Sequence, residues 1–398
     1  MMKLTHRLDA GPVTQFMKDE YRTSKSDLFA GFIERCTELV KSAGLTAMVT
    51  MQSWMFLSSF EKLRTSLLIH QRIVSMLHLG ARAFDSIGGE IVSSTAFVLE
   101  NHQQGQGEGD HGELGIFIRL VDGTSEAAKC ADFRNAMRTK DRDSGYHVAS
   151  AQDFEAIPGT PIVYWLSEKM RAVFAAGMEL GEVASLAVGL QTGDNNRFLR
   201  LWWEVSQTRT AFGCMSREEA TASGARWFPY NKGGDFRRWY GNQEFVVNWE
   251  NDGASIRAFG TGERSRPRSR AQNMGTYFSP SVSWSDISSG APSFRSFPAG
   301  FIHGNKGNSI FGVKPLLNRL LGIMNSPCAT ALLEAVVPTM TASVGDVAKT
   351  PLPSADWDLP EPVIERLVQT SRADWDDSET SWGFTGSPLL KAGPVQAS

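Results

Sequence analysis

The chain has 398 residues, of which 41% are hydrophobic and 21% are charged, a composition that is ordinary for a folded protein with room for two domains. It contains neither a run of 18 apolar residues nor an apolar stretch at its start, so the sequence predicts no membrane span and no secretory signal. The four cysteines and seven histidines are scattered, which argues against a metal site and against a disulfide framework. The expected location is the reducing cytoplasm.

The net charge of −3 conceals an uneven distribution of charge along the chain. Residues 191–310 contain 15 lysines and arginines against 10 acidic residues, whereas residues 354–398 contain 3 against 8. Six of the eleven tryptophans also lie in the basic region. Basic residues interleaved with aromatic residues suit phosphate contacts and base stacking. A solvated surface over an aromatic core has the same composition, so nucleic-acid binding is permitted but not required.

The first hundred residues alternate helices and strands. Apolar spacing predicts helices over 24–44 and 58–70, and strands over 45–51, 72–80 and 93–101. The last two strands follow each other closely, so they are expected to pair as an antiparallel hairpin. This order is typical of the closing half of an α/β sheet. The sequence shows no opening strand followed by a glycine turn that would hold a cofactor.

A glycine-rich string, QGQGEGD, occupies residues 104–110 and precedes a strand predicted over 115–122. It follows a strand and does not open a helix, as a phosphate-binding turn would, so a plain hairpin loop is expected. Helices are predicted over 124–139 and 168–183, and the second is expected to connect two domains.

After this connecting helix the sequence changes to short apolar runs with many glycines and tryptophans, which predicts a twisted, β-rich domain. A helical pattern returns at 315–336, and ERSRPRSR at 263–270 is expected to be a basic loop. The last part of the chain is acidic and weakly periodic, so it is expected to be partly disordered. The predicted organisation is a first domain, a helical connector, a second domain and an acidic tail, at residues 1–150, 151–184, 185–352 and 353–398.

The string GLQTGDNNRF at 189–198 carries the densest set of candidate DNA-reading side chains. Its two glycines permit a tight turn. Glutamine and asparagine can each bind adenine with two hydrogen bonds in the major groove, and arginine can bind guanine in the same way. The candidate residues are Gln191, Asp194, Asn195, Asn196 and Arg197. Taken alone, the string also fits an ordinary β-turn rich in Gly, Asp and Asn.

The string WFPYNKGGDFRRWYGN at 227–242 places basic residues among aromatic ones. The candidates for phosphate contacts and for stacking on a base are Lys232, Arg237, Arg238 and Trp239. An irregular core loop with a charged rim is the alternative.

Three other candidates, Gln52, Ser53 and Trp54, follow the strand predicted over 45–51. Ligands of open α/β sheets bind at the carboxyl ends of the strands, so these residues are candidates for lining a pocket. A packed strand end is the alternative. No catalytic residue set stands out, and neither G-x-S-x-G nor H-E-x-x-H occurs.

Eight strings, in the same order, resemble the large adenine-specific DNA methyltransferases of BREX phage-defence systems, which are called the PglX type. The resemblance runs from about residue 14 to about residue 390. The strings are SKSDLFAGFIERC, AMVTMQSWMFLSSFEKLR, LHLGARAFDSIGGE, TAFVL, GLQTGDNNRFLRLWWEV, RWFPYNKGGDFRRWYGN, VVNWEND and DWDDSETSWGF.

The resemblance implies transfer of a methyl group from S-adenosylmethionine to the exocyclic amine of an adenine that is flipped out of the duplex. In this family an Asn-Pro-Pro-Tyr or similar loop binds the amine, and an earlier glycine turn binds the cofactor. Neither motif occurs in the 398 residues. The sequence is therefore expected to be an internal or C-terminal fragment that neither methylates DNA nor binds S-adenosylmethionine alone, because the contacts that supply the rate are missing.

The fold that the resemblance implies is the rear half of a Rossmann-like α/β methyltransferase sheet, followed by a mixed α+β, β-rich target-recognition domain. Gln52, Ser53 and Trp54 then lie near the target-base pocket. The expected partners are double-stranded DNA, an N-terminal methyltransferase half from a neighbouring gene, and other BREX proteins.

Two other interpretations stay open. The chain can be a non-catalytic DNA-binding or specificity module, including a fragment of a restriction–modification enzyme with a fused recognition domain. It can also be a decayed gene product, because a half-sheet exposes strand edges and an apolar face.

Overall fold

The computed structural model describes residues 11–86, 92–101, 112–261, 267–287, 292–337, 341–353 and 361–391. The chain divides into Met1–Ala176 and Gly177–Ser398, here called the N-terminal unit and the C-terminal unit. The glycine-rich string at 104–110 lies outside the described residues, as does part of the basic loop at 263–270. Within the described ranges, no helix is long and apolar enough to cross a membrane.

The N-terminal unit alternates helices with the strands of one sheet, as the apolar spacing predicts. Its helices are α1 Pro12–Glu20, α2 Leu28–Leu39, α3 Glu61–His70, α4 Glu126–Thr139, α5 Gln152–Glu155 and α6 Glu168–Ala176. Its strands are β1 Leu45–Met51, β2 Gln71–Gly80, β3 Ser94–Asn101, β4 Gly115–Arg119 and β5 Tyr146–Ala149.

The five strands form one sheet in the order β1-β3-β2-β4-β5. Strand β3 is antiparallel to both β1 and β2, so the predicted hairpin of β2 and β3 is confirmed, and β1 and β2 run parallel to each other. One face of the sheet is covered by aromatic side chains, with the Trp54 and Phe97 rings 5.1 Å apart and the Phe117 and Tyr164 rings 4.8 Å apart. Aromatic contacts of this kind add to the apolar burial that stabilises the unit.

The opposite side of the N-terminal unit is unusually open. Among the described residues β1 pairs with β3 alone, and its Leu45 and Val49 are 62% and 60% exposed. The apolar residues that predict α2 form a stripe that faces solvent, with Leu28, Phe32 and Leu39 at 42%, 55% and 65% exposure. The helix instead buries Ala30 and Ile33. An exposed strand edge beside an apolar stripe is a surface that natural proteins normally cover.

The C-terminal unit contains many short strands, as the glycine- and tryptophan-rich texture predicts. Its strands are β6 Met178–Glu179, β7 Ser185–Ala187, β8 Leu199–Leu201, β9 Trp227–Asn231, β10 Phe245–Asn248, β11 Ser281–Ser285, β12 Phe294–Phe297, β13 Ile302–His303, β14 Gly307–Phe311 and β15 Pro351–Leu352. Its helices are α7 Leu180–Val183, α8 Asn195–Phe198, α9 Arg217–Ala222, α10 Glu250–Arg257, α11 Lys314–Met324, α12 Pro327–Val336, α13 Val344–Ala348, α14 Glu361–Asp376 and α15 Pro388–Lys391.

Two four-stranded sheets organise the C-terminal unit, in the orders β13-β9-β10-β8 and β12-β11-β14-β7, and β6 pairs with β15. The first sheet has a core around Phe228, Trp249 and Phe278. The second packs against α11, α12 and α14 around Trp284 and Leu321. The two cores hold the loops at the sheet edges in place, and these loops carry the candidate DNA contacts.

Two predicted elements differ in the structure. The single helix predicted over 168–183 is interrupted, because α6 ends at Ala176 and the next residues form β6, which pairs with β15. Residues 361–376 of the tail, expected to be weakly ordered, form α14. Ile364 enters the apolar core of the second sheet, and Trp375, eleven positions or about three helical turns later, is also buried and packs against Gly241.

Candidate nucleic-acid interface

The turn at 189–198 is fixed by pairing of its first residues with a neighbouring segment. The amide of Leu190 donates to the carbonyl of His303 over 2.8 Å, and a Cβ at Gly189 would lie 1.9 Å from that same carbonyl oxygen. Gly193 has a φ of +73°, a conformation that side chains strain. The first glycine is therefore required for close approach, and the second for the turn itself.

The predicted DNA-reading residues of this turn have different environments. The Asp194 side chain accepts a hydrogen bond from the amide of Arg197 and so caps α8, which is a structural role. Gln191, Asn195, Asn196 and Arg197 are exposed. The side-chain oxygen Oδ1 of Asn195 accepts a hydrogen bond from the hydroxyl of Thr192, and this bond orients the side-chain amide of Asn195. Four of the five side chains are thus presented to solvent from a rigid turn.

A second basic segment lies beside this turn. Gln191 and Arg270 exchange two backbone hydrogen bonds of 2.9 and 2.8 Å. The guanidinium groups of Arg197 and Arg268 lie 5.0 and 5.8 Å from the centre of the Phe259 ring. The end of the basic loop, residues 267–270, therefore joins the 189–198 turn in one positively charged surface. Stacking on an aromatic ring holds a guanidinium in place while its edge remains available to a phosphate or a base.

The segments that lead into the two candidate strings run side by side. Leu190 bridges Gly304 in parallel, and β13 pairs in parallel with β9. The hydroxyl of Tyr230 also donates to the carbonyl of Leu190 over 2.9 Å. Because these three segments are parallel neighbours, Gln191 and Lys232 both follow the carboxyl ends of their segments, on the same side of the sheet. The structure thus brings the start of the first string beside residues 230–232 of the second.

Within the second string, the ammonium group of Lys232 lies 4.0 Å from the centre of the Phe245 ring. Arg237 is half-buried and lies over the Trp375 ring, while the Arg238 guanidinium lies over the Phe236 ring at 5.6 Å. Trp239 has a φ of +74°, pairs with β12 through its backbone and packs against the core of the second sheet. The three cations therefore border solvent, whereas the Trp239 ring is committed to packing.

The candidates at the end of β1 lie in a packed strand end. Gln52, Ser53, Trp54 and Met55 form a 3-10 helix directly after β1, and Trp54 is completely buried. The Gln52 side-chain oxygen lies 3.0 Å from Nε2 of His78, whose Nδ1 lies 3.1 Å from the hydroxyl of Tyr164. Burial lowers the pKa of His78 to about 3, so this histidine is neutral at pH 7. Trp54 belongs to the core and offers no surface to a ligand.

This packing bears on S-adenosylmethionine. A nucleoside cofactor needs an open cleft and backbone amides at a turn between a strand and a helix. At the end of β1 the space is filled by Trp54 and by the bonded pair Gln52 and His78. The described residues of the N-terminal unit do not fit S-adenosylmethionine at this strand end. They also contain no cluster of His, Cys, Asp or Glu that could hold a metal ion.

The sequence missed the contribution of the tail to this surface. Asp374 and Trp375 both contact Arg237, with the Asp374 carboxylate 3.3 Å from its guanidinium. The opposite charges of the tail and of the 191–310 region were the one signal in the sequence that could have paired them.

The chain is similar to known DNA-modifying proteins. A family model described as the Eco57I restriction-modification methylase matches residues 5–84. The chain is 38% identical over 380 residues to the adenine-specific methyltransferase PglX of Lacticaseibacillus casei (strain Zhang), a match that covers 95% of this chain. It is 34% identical over 387 residues to the adenine-specific methyltransferase BrxX of Escherichia coli O9:H4 (strain HS), covering 96% of this chain. Over nearly its whole length, the chain is similar to part of each of these two adenine-specific methyltransferases.

The match is partial in one direction, because the chain spans 31% of the PglX protein and 29% of the BrxX protein. Among solved structures, the type IIL restriction-modification enzyme MmeI, in complex with DNA, aligns with a TM-score of 0.55 at 13% identity. That alignment covers 92% of this chain and 48% of the MmeI chain. It shows that this chain shares its mixed α/β fold with that restriction-modification enzyme.

Proposed function

We propose that this chain takes part in the methylation of adenine in DNA by a PglX-type methyltransferase, in the cytoplasm and as part of BREX phage defence. The methyl donor is S-adenosylmethionine, and the acceptor is the exocyclic amine of an adenine at a specific site. The observation that carries the proposal is the identity of 38% and 34% with PglX and BrxX over nearly the whole chain.

Within that reaction, the C-terminal unit recognises double-stranded DNA. In support, Gln191, Asn196 and Arg197 are exposed on a rigid turn and carry side chains that read base edges. Basic residues on the neighbouring segments, Lys232 and Arg270 among them, supply charge for the phosphates. Phosphate contacts set the position of the protein on the duplex, and contacts to base edges give the sequence preference.

The chain does not methylate DNA alone. Two facts support this statement: the 398 residues lack an Asn-Pro-Pro-Tyr loop and the glycine turn that would hold the cofactor, and Trp54 and Gln52 fill the end of β1. Without the groups that hold the amine and the donor, the transition state is not stabilised.

A second polypeptide segment is therefore part of the active enzyme. The free edge of β1 supports this partner, because an added strand would pair with it, and the exposed apolar stripe of α2 is a second uncovered surface of the same unit. A non-catalytic DNA-binding module is the alternative function, and the exposed basic surface of the C-terminal unit favours it equally.

The test uses purified chain, adenine-containing duplex DNA and S-adenosylmethionine with a labelled methyl group. The chain alone should bind the duplex and transfer no label. Addition of the part of Lacticaseibacillus casei PglX that this chain does not match should restore transfer. Label transfer by the chain alone contradicts the division of labour, and DNA binding without restored transfer favours the non-catalytic module.

A further inference from the structure

The acidic tail folds onto the basic string of the C-terminal unit. Trp375 of α14 packs against Gly241, where a Cβ would lie 3.1 Å from the indole. The indole nitrogen of Trp202 donates to the carbonyl of Thr380 over 2.9 Å, and Trp382 packs against Phe212 with tilted rings whose centres are 5.0 Å apart. Residues 374–382 are therefore a fixed part of this surface.

A cavity of about 320 Å³ lies at the seam between this segment and residues 232–245. Lys232 and Arg237 line it on one side, and Trp375 and Thr380 line it on the other. A single phosphate and its sugar are small enough to enter a cavity of this size. The two glycines at 233 and 234 also line it and leave backbone in reach of a ligand.

Aromatic rings hold both cations of the cavity. The Lys232 ammonium lies 4.0 Å from the centre of the Phe245 ring, and the Arg237 guanidinium lies 4.8 Å from the centre of the Trp375 ring. A cation held on the face of a ring keeps its N–H groups free to donate. Because these two side chains are already ordered, they lose less conformational entropy when a ligand binds.

Arg237 already holds one anionic group. Its Nη1 lies 3.3 Å from the Asp374 carboxylate, whose side chain is 75% exposed. Carboxylate and phosphate oxygens compete for the same donors of a guanidinium. An exposed ion pair is weak, so a phosphate can displace the carboxylate at small cost.

We propose that the seam binds a phosphate group of the DNA backbone, and that this phosphate replaces Asp374 on Arg237. The tail helix α14 then has two roles in DNA binding. Trp375 orients the Arg237 guanidinium, and the Asp374 carboxylate pairs with that guanidinium in the absence of DNA. This inference rests on the proposed function, because it requires that the C-terminal unit binds DNA.

The charge balance of the cavity makes the effect of Asp374 measurable. Two carboxylates, Asp235 and Glu244, also line the cavity and offset the two cations. Asp374 is a further carboxylate, and it is the one that contacts the Arg237 guanidinium directly. Removing that one charge should strengthen phosphate binding, and only through Arg237.

The experiment measures binding of the full chain to a fluorescent DNA duplex by anisotropy at several salt concentrations. Asp374→Asn should tighten binding about two- to fivefold, the worth of an exposed ion pair. Glu365→Gln is the matched control, because Glu365 lies on the same helix and pairs with Lys314 outside the cavity. It should leave affinity unchanged. Arg237→Ala should weaken binding and reduce the salt slope by about 0.9.

The double variant Arg237→Ala with Asp374→Asn decides the matter. The gain from Asp374→Asn should vanish when Arg237 is absent. The inference is overturned if the gain persists in that background, or if Glu365→Gln gives an equal gain, since either result means a general effect of charge. If the unaltered chain binds no DNA, the proposed function fails as well. If it binds DNA and the two substitutions show no coupling, the inference alone fails.

Discussion

Replacing Arg197 by lysine separates the charge of this residue from its ability to read a base. Its guanidinium lies 5.0 Å from the centre of the Phe259 ring and 5.4 Å from that of Phe198, and among the described residues it forms no ion pair. The planar group is thus held by ring faces, with its edge towards solvent. Lysine keeps the positive charge but lacks the fork that donates two hydrogen bonds to guanine.

The size of the effect follows from these contacts. A bidentate arginine–guanine contact contributes about 1–3 kcal/mol of discrimination at one base pair, or roughly a 5- to 150-fold preference. An exposed cation–π contact contributes only about 0.5–1 kcal/mol. Arg197→Lys should therefore reduce the preference for one base pair while leaving the salt dependence of binding unchanged, because the charge remains.

The assay is selection from a pool of randomised duplexes, followed by titration of the selected site at several salt concentrations. Arg209→Lys is the control, since Arg209 is exposed, pairs with Glu250 over 2.8 Å and is not one of the candidate DNA contacts. It should leave the selected sequence unchanged. If Arg197→Lys selects the same sequence as the unaltered chain with the same affinity, then Arg197 does not read a base.

Three further predictions concern the framework of the site. Gly189→Ala should unfold the turn and abolish sequence-selective binding, because its Cβ would meet the His303 carbonyl; Gly275→Ala, with nothing within 4 Å, should be neutral in thermal unfolding and in DNA binding. Arg64→Met should destabilise the N-terminal unit by about 1–3 kcal/mol or more in urea unfolding followed by hydrogen exchange, because four carbonyls lose the buried guanidinium that donates to them. Equal exchange rates would contradict this. Burial lowers the pKa of His303 to about 4. Between about pH 6.5 and pH 4 only the unfolded chain takes up the proton, so the free energy of unfolding of the C-terminal unit should fall by up to about 3 kcal/mol over this range. His303→Gln should flatten that pH dependence.

The sequence predicts the order of elements in the N-terminal unit well, because local apolar spacing determines it. Strand β1, helix α3 and the hairpin of β2 and β3 all lie within three residues of their predicted bounds. The exposure of Gln191, Asn196 and Arg197 also agrees with a solvent-facing turn. For the helices and strands, the signal is the apolar spacing of residues that are close in the chain.

What the sequence does not predict depends on contacts between distant residues. Trp54 follows a strand end as a pocket residue would, yet it is buried by Phe97, a partner in another strand. The tail is weakly periodic by itself, yet Trp375 finds its place against Gly241. The apolar stripe of α2 predicts the helix correctly but not that the stripe would face solvent. Tertiary packing overrides the local signal at all three places.

The most direct test of the account is the salt dependence of duplex DNA binding by the purified chain, between about 50 and 200 mM salt. The account predicts measurable binding that weakens steeply and linearly with the logarithm of salt concentration, with a slope that falls in Arg237→Ala. Binding that is absent, or that does not respond to salt, would contradict the claim that the C-terminal unit recognises DNA.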